Sequence, residues 1–109
     1  MSGRPRYTQK DTNHKDIVDE LEALGYTVID VANLANRALD VFVGGHHHAT
    51  RAWVWVQVEI KPDRKARFTK NEKLYFAEMG IVDPWKAGDV AIIAATSTED
   101  VLRWFGAIK

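Results

Sequence analysis

The sequence predicts one α/β domain, a mixed sheet flanked by helices, with its elements in the order α-β-β-β-α-β-α. Three observations predict it. Between Asn13 and Leu24 the apolar residues Ile17, Val18, Leu21 and Leu24 recur at helical spacing. Alternating and β-branched stretches follow around Tyr26, Val41 and Val56. An apolar run of strand length, Asp89 to Ala95, then lies between two stretches with helix-capping residues.

Each element has its own signal. Residues 1–10 read as a flexible basic arm and residues 11–109 as the single domain. Asp11 or Thr12 is the expected N-cap of the first helix and Gly25 its stop. Tyr26 to Val31 alternates as a strand, and Ala32 to Arg37 reads as a loop. Leu39 to Val43 is a short second strand, with a turn beginning at Gly44-Gly45. Trp53 to Lys61 is the long third strand, paired with the second as a hairpin and ended by Pro62. Thr69-x-x-Glu72 is a capping-box pattern that opens a helix to Met79, with Gly80 beyond it. Asp89 to Ala95 is expected to be covered on both faces. Ser97 or Thr98 caps a last helix through Phe105.

The chain has 109 residues, 46% of them hydrophobic, which suffices for one core. It contains no apolar run of membrane-spanning length and no signal-peptide pattern. Without cysteine there is no disulfide scaffold and no Cys-ligated zinc. An intracellular protein with no membrane partner fits these features. Fifteen basic and fifteen acidic residues cancel, but they are not mixed evenly. Arg4, Arg6, Lys10 and Lys15 crowd the N-terminus, and Lys61, Arg64, Lys65, Arg67, Lys70 and Lys73 crowd the centre. Such clusters form either a patch for an anionic polymer or merely a solvated surface.

The stretch Val54-Trp-Val-Gln-Val-Glu-Ile-Lys61 carries the chemistry. Side chains alternate across a strand, so Trp53, Trp55, Gln57, Glu59 and Lys61 share one face while Val54, Val56, Val58 and Ile60 face the core. Glu59 and Lys61 therefore project together, roughly 6.6 Å apart along the strand. A hairpin around Gly44 to Thr50 brings Asp40 close to Glu59. Two neighbouring carboxylates repel and are pushed up in pKa unless a cation lies between them. Mg²⁺ suits that position, since it takes one or two carboxylates and leaves room for water and phosphate. The alternative is an acid–lysine ion pair on a solvated sheet edge.

Asp40 followed by Glu59-Ile-Lys61, each on a strand and separated by a hairpin, resembles the PD-(D/E)xK nuclease motif. The similarity is closest to the small phage and archaeal Holliday junction resolvase-like and VRR-NUC nucleases. Three further stretches share it: Gly25-Tyr26-Thr27-Val28, Asp40-Val41-Phe42-Val43-Gly44, and Phe68-Thr69-Lys70-Asn71-Glu72 with Phe76. Together they cover roughly residues 10 to 95. Leu39 stands where the family has a proline before the first acid. His14 stands where its first helix offers a Glu or Gln, and Asp16 is the fallback for that role.

The resemblance implies a restriction-endonuclease-like fold and a metal-dependent, structure-specific DNA endonuclease, most plausibly a Holliday junction resolvase. Asp40 and Glu59 would hold Mg²⁺, with Mn²⁺ as a substitute. Lys61 would position the attacking water and His14 would assist. Arg37, Arg64, Lys65, Arg67 and Lys70 would contact the DNA backbone, positioning it without reading sequence. Two symmetric cuts in a four-way junction require two sites, so a homodimer is implied, with Trp53, Trp55 or the region of Trp85 as its interface. The family and the small size suggest a phage-encoded protein acting in the host cytoplasm. The rival readings are a nuclease-fold module that binds without cutting, and a nuclease of flaps, nicks or single strands.

Several residues invite other interpretations. Three consecutive histidines, His46 to His48, cannot converge on one ion from a strand or turn, and read as a polar hairpin tip. Trp53 and Trp55 can pack in the core, form a subunit contact or stack on bases. Gln57 shares the face of Glu59 as a supporting residue. Glu72 is accounted for by its capping box and reads as structural.

Overall fold

A strand of eight residues, Trp53–Ile60 (β3), is the spine of the molecule in the computed structural model, which describes residues 9–31, 39–86 and 90–109. Its alternation of valines with larger or polar residues gives it two different faces. It pairs antiparallel with β2 (Val41–His46) and parallel with β4 (Ile92–Ala95), while β1 (Thr27–Asp30) closes the other edge of β2. The sheet is therefore mixed, in the order β1-β2-β3-β4. Parallel pairing requires a crossover, which contains the helix α2 (Lys70–Glu78). The other helices are α1 (Gln9–Ala23) and α3 (Thr98–Trp104). The order α-β-β-β-α-β-α is the one the sequence predicts.

The valine face of the sheet holds the main core. Val56, Val58 and Ile60 of β3 pack with Val41 and Val43, and against Ile17 and Leu21 of α1 and Val101 of α3, with Phe105 just beyond it. On the opposite face Leu39, Phe76 and Ile92 form a smaller cluster beneath α2, flanked by Phe68 and Tyr75. All four residues of β4 are buried, as expected for a strand covered on both faces. The caps also follow the sequence. Thr69 and Glu72 form a reciprocal capping box at α2, Gly80 follows it at φ +76°, and Ser97 caps α3.

Three boundaries differ from expectation, the simplest being β4, which takes only Ile92–Ala95 of the expected Asp89 to Ala95 run. α1 begins at Gln9, so Asp11 and Thr12 lie inside the helix rather than capping it. Gln and Lys at its start are good helix formers and carry the helix upstream. β2 runs through Gly44 and Gly45 to His46, where a turn was expected. Both glycines are in the strand because side chains lie against them. A Cβ at Gly44 would meet the Trp55 ring at 2.7 Å, and one at Gly45 would meet Tyr26 at 2.5 Å. Of the expected basic arm, residues 1–8 lie outside the described residues, as do Arg37 and most of the loop that holds it. Among the described residues, no helix is long and apolar enough to cross a membrane.

Candidate active site

The β2–β3 register sets the site. Val41 faces Val58, so Asp40 comes just before β2 at the level of Glu59. Backbone N–H groups on a strand point alternately to either side. Those of Gln57 and Lys61 go to Ala91 and Ala95 on the β4 side, which turns that of Ile60 toward β2. By Ile60, β2 has ended. The Asp40 carboxylate takes the missing position, accepting the Ile60 N–H through Oδ2 at 2.7 Å. Asp40 thus completes the ladder with its side chain.

Glu59 and Lys61 point to the α2 side and are nearly sealed, at 2% and 4% exposure. An ammonium so deeply buried is tolerable only with strong partners. The Lys61 Nζ lies 3.4 Å from Glu59 Oε2 and 2.9 Å from Glu72 Oε1. The Phe68 ring lies below it, with its centroid 5.3 Å away. Lys61 is therefore held by two carboxylates and an aromatic face. This overturns the solvated sheet-edge alternative, because the pair is buried under α2.

It also corrects the reading of Glu72 as structural alone. The capping box is present, with the Thr69 N–H donating to Glu72 Oε1 at 2.8 Å. The same oxygen accepts from Lys61, so the helix N-terminus and the β3 lysine share one carboxylate. Burial would raise the Glu72 carboxyl. Hydrogen bonding with Glu59, the Thr69 backbone and Lys61, together with the Lys61 charge, overrides that and holds it below its ordinary value. A carboxyl depressed in the folded state stabilises the fold fully above its unfolded pKa, and that stabilisation is lost as pH falls through the lowered value. Glu72→Gln is accordingly expected to lose about 2 kcal/mol at neutral pH and to flatten the acid limb of stability. Urea unfolding between neutral and acid pH measures both; an unchanged profile would leave Glu72 as a cap only.

One clamp was not anticipated. Asn13 of α1 donates through Nδ2 to the Lys61 carbonyl at 2.9 Å and to the Thr96 carbonyl at 3.3 Å. It ties the ends of β3 and β4 together behind the site. Asn13→Ala leaves two carbonyls without this donor and is expected to cost about 1–3 kcal/mol, read as a lower urea midpoint at constant slope.

The other expected site residues lie elsewhere. His14 is half-buried, and its Nε2 is 2.9 Å from Asp30 Oδ2 on β1. Its hydrogen bond goes to that edge strand rather than to Asp40, Glu59 or Lys61. Ile17 and Leu21 do face the sheet, and Asp16 and Asp19 are exposed. Gln57 accepts from the Tyr75 hydroxyl at 2.7 Å, which fixes α2 on the strand beside the site. Arg64 pairs with Asp100 at 3.1 Å and covers the Trp85 ring at 5.0 Å. Lys65, Arg67 and Lys70 are exposed on the segment that leads from β3 into α2.

The signal that marks Glu72 was present in the sequence. An N3 glutamate at the mouth of the helix that follows β3 points back toward the strand end. Asn13 and Phe68 carry no such signal, since each acts through a contact set by the tertiary fold.

Carboxylate oxygens are the ligands that a hard divalent cation would take. Asp40 and Glu59 supply carboxylate oxygens at one sheet end, and one or two carboxylates are the usual protein share for Mg²⁺. Among the described residues, no three His, Asp or Glu side chains converge into a ready-made metal cage. Water and phosphate would complete the shell. No family model, curated protein or solved structure matches this chain.

Proposed function

We propose that the protein is a metal-dependent endodeoxyribonuclease of the PD-(D/E)xK superfamily, with a restriction-endonuclease-like fold. It would act on branched DNA, four-way junctions foremost, as a homodimer. One observation carries this reading: the β2–β3 register sets Asp40 level with Glu59, with Lys61 two residues on and against Glu59. Buried charges are difficult to retain for packing alone, so a sealed Glu–Lys pair beside a third carboxylate points to chemistry.

In this proposal Asp40 and Glu59 hold Mg²⁺ or Mn²⁺, which when bound stabilises charge on the scissile phosphate. Lys61, held in place by Glu59 and Glu72, orients the attacking water. Lys65, Arg67 and Lys70, with Arg37 and Arg64, position the backbone. His14 acts at one remove, by holding Asp30 of the neighbouring strand.

Cleavage of a labelled four-way junction in Mg²⁺ and in Mn²⁺, beside a linear duplex of equal sequence, tests the reading. Paired symmetric cuts in the junction are expected. Cutting of flaps, nicks or single strands instead would keep the chemistry and change the substrate. A second reading, a module that binds without cutting, is favoured by the burial of Glu59 and Lys61. A phosphate reaches them only once Phe68 or Glu72 gives way. Salt-sensitive junction binding with no cleavage in either metal would select it.

A further inference from the structure

The sheet face that carries Glu59 is only half covered. α2 lies over Gln57 and Glu59, but nearer the hairpin tip Trp53 and Trp55 keep 44% and 41% of their surface. Ile29 of β1 shares this face, in register with Phe42 and Gln57, and is exposed as well. Gly44 lets the Trp55 ring lie against the β2 backbone, where any Cβ would strike it. Trp53 meets that ring edge-on, with centroids 6.1 Å apart, and His46 meets Trp53 edge-on at 5.2 Å. The result is an aromatic shelf, backed by a sheet that is packed on its far side.

Charge and area select the partner. From Val41 to Val58 the chain has no Asp or Glu, and His46, His47, His48 and Arg51 are its ionisable residues. These four line one open hollow at the tip. A second copy docked symmetrically would bring the two Arg51 guanidiniums together, with no acid in the stretch to offset them. Three exposed apolar side chains also fall far short of the roughly 800 Å² and 20–30 residues per partner in a stable dimer. Isolated aromatic faces beside a guanidinium and imidazole hydrogen-bonding groups suit single-stranded nucleic acid, because every base has a π-face and every linkage a charge.

We propose that this face is a stacking platform for single-stranded DNA, with Trp53 and Trp55 each taking a base and His46 and Arg51 meeting phosphates. The strand runs along β3 as far as the edge of α2, which covers Gln57 and Glu59. Glu59 lies four positions beyond Trp55, about 13 Å along the strand, which about four stacked nucleotides span. The substrate of the proposed nuclease then carries an unpaired strand next to the cut. Only that destination rests on the nuclease reading.

The test uses the full chain and a fluorescein-labelled oligo-dT of about fifteen nucleotides, with chelator present so that nothing is hydrolysed. Quenching of tryptophan emission is expected. Trp55→Ala should weaken the affinity read by anisotropy about tenfold without changing its salt slope, because no ionic contact is removed. Trp55→Phe should retain most of the affinity, and it stands in should the alanine variant melt early. Wild-type affinity in both Trp53→Ala and Trp55→Ala overturns the platform. So does light scattering in which these variants break a dimer while dT binding is unchanged, which makes the face a self-association surface. Junction cleavage is scored separately. A protein that never cuts yet loses dT binding with Trp55→Ala keeps the platform, and one that cuts without binding dT loses it alone.

Discussion

Lys61→Met is expected to lower the stability of the fold by about 3–5 kcal/mol at neutral pH, a fall in Tm on the order of 15 °C. The ammonium sits between Glu59 and Glu72 at 4% exposure. Removing it leaves two carboxylates facing each other under α2 with no counter-charge. One of them then takes up a proton more readily folded than unfolded. A carboxyl raised in the folded state penalises folding above that raised pKa and ceases to do so below the unfolded value. The defect should therefore be full at pH 7 and shrink as the pH falls toward 4, the reverse of ordinary acid sensitivity. Urea unfolding at several pH values reads it directly. A loss that does not change with pH would mean that Lys61 contributes packing and not charge. Replacing the whole cluster, Glu59→Leu with Lys61→Met and Glu72→Gln, removes its three charges at once and keeps an acceptor for the Thr69 N–H. That variant is expected to be as stable as the natural chain or more so. Such a result would mean that the charges are retained for what they do.

How much of this was legible in the sequence follows from which interactions are local. The face of β3 was readable because strand alternation is a property of the chain itself. It put Glu59 and Lys61 on one side and four core residues on the other. The hairpin placed Asp40 opposite Glu59, even though the turn was expected at Gly44-Gly45. A tip centred between Gly44 and Thr50 would set Asp40 level with Val54; the observed tip is centred between Ala49 and Thr50, and this later centre is what carries Asp40 to Glu59. The caps of α2 and α3 were readable for the same reason, being contacts between residues three apart. What the sequence could not show was which helix covers which half of which face. That is set by the crossover that returns β4 beside β3. It determines that Glu59 and Lys61 are buried, that Glu72 reaches Lys61, and that Trp53 and Trp55 are left outside. His14 illustrates the limit of spacing arguments: it lies one turn before Ile17, which packs in the main core, yet its own hydrogen bond goes to Asp30 of β1.

Asp40 allows structure and chemistry to be separated in one position. Its carboxylate accepts the Ile60 N–H at the point where β2 no longer provides a carbonyl. Asparagine at this position still offers an acceptor oxygen of the same reach, so the fold should survive, with a melting temperature within a few degrees of the natural chain. It removes the negative charge that the proposed divalent cation would need. Asp40→Asn is therefore expected to cut junction cleavage by about 10²–10⁴-fold while leaving stability and junction binding close to normal. Asp40→Ala should do something else as well. It orphans the Ile60 N–H at about 1–3 kcal/mol and loosens the strand that carries Glu59 and Lys61. Glu59→Gln should match Asp40→Asn in cleavage, since the two carboxylates would serve one ion. Cleavage at the natural rate in Asp40→Asn would make the carboxylate a backbone clamp and nothing more. Equal loss in Asp40→Asn and Glu59→Gln, with both proteins folded, would tie the two strands to one metal-dependent step, because a purely architectural role has no reason to distinguish an amide from an acid.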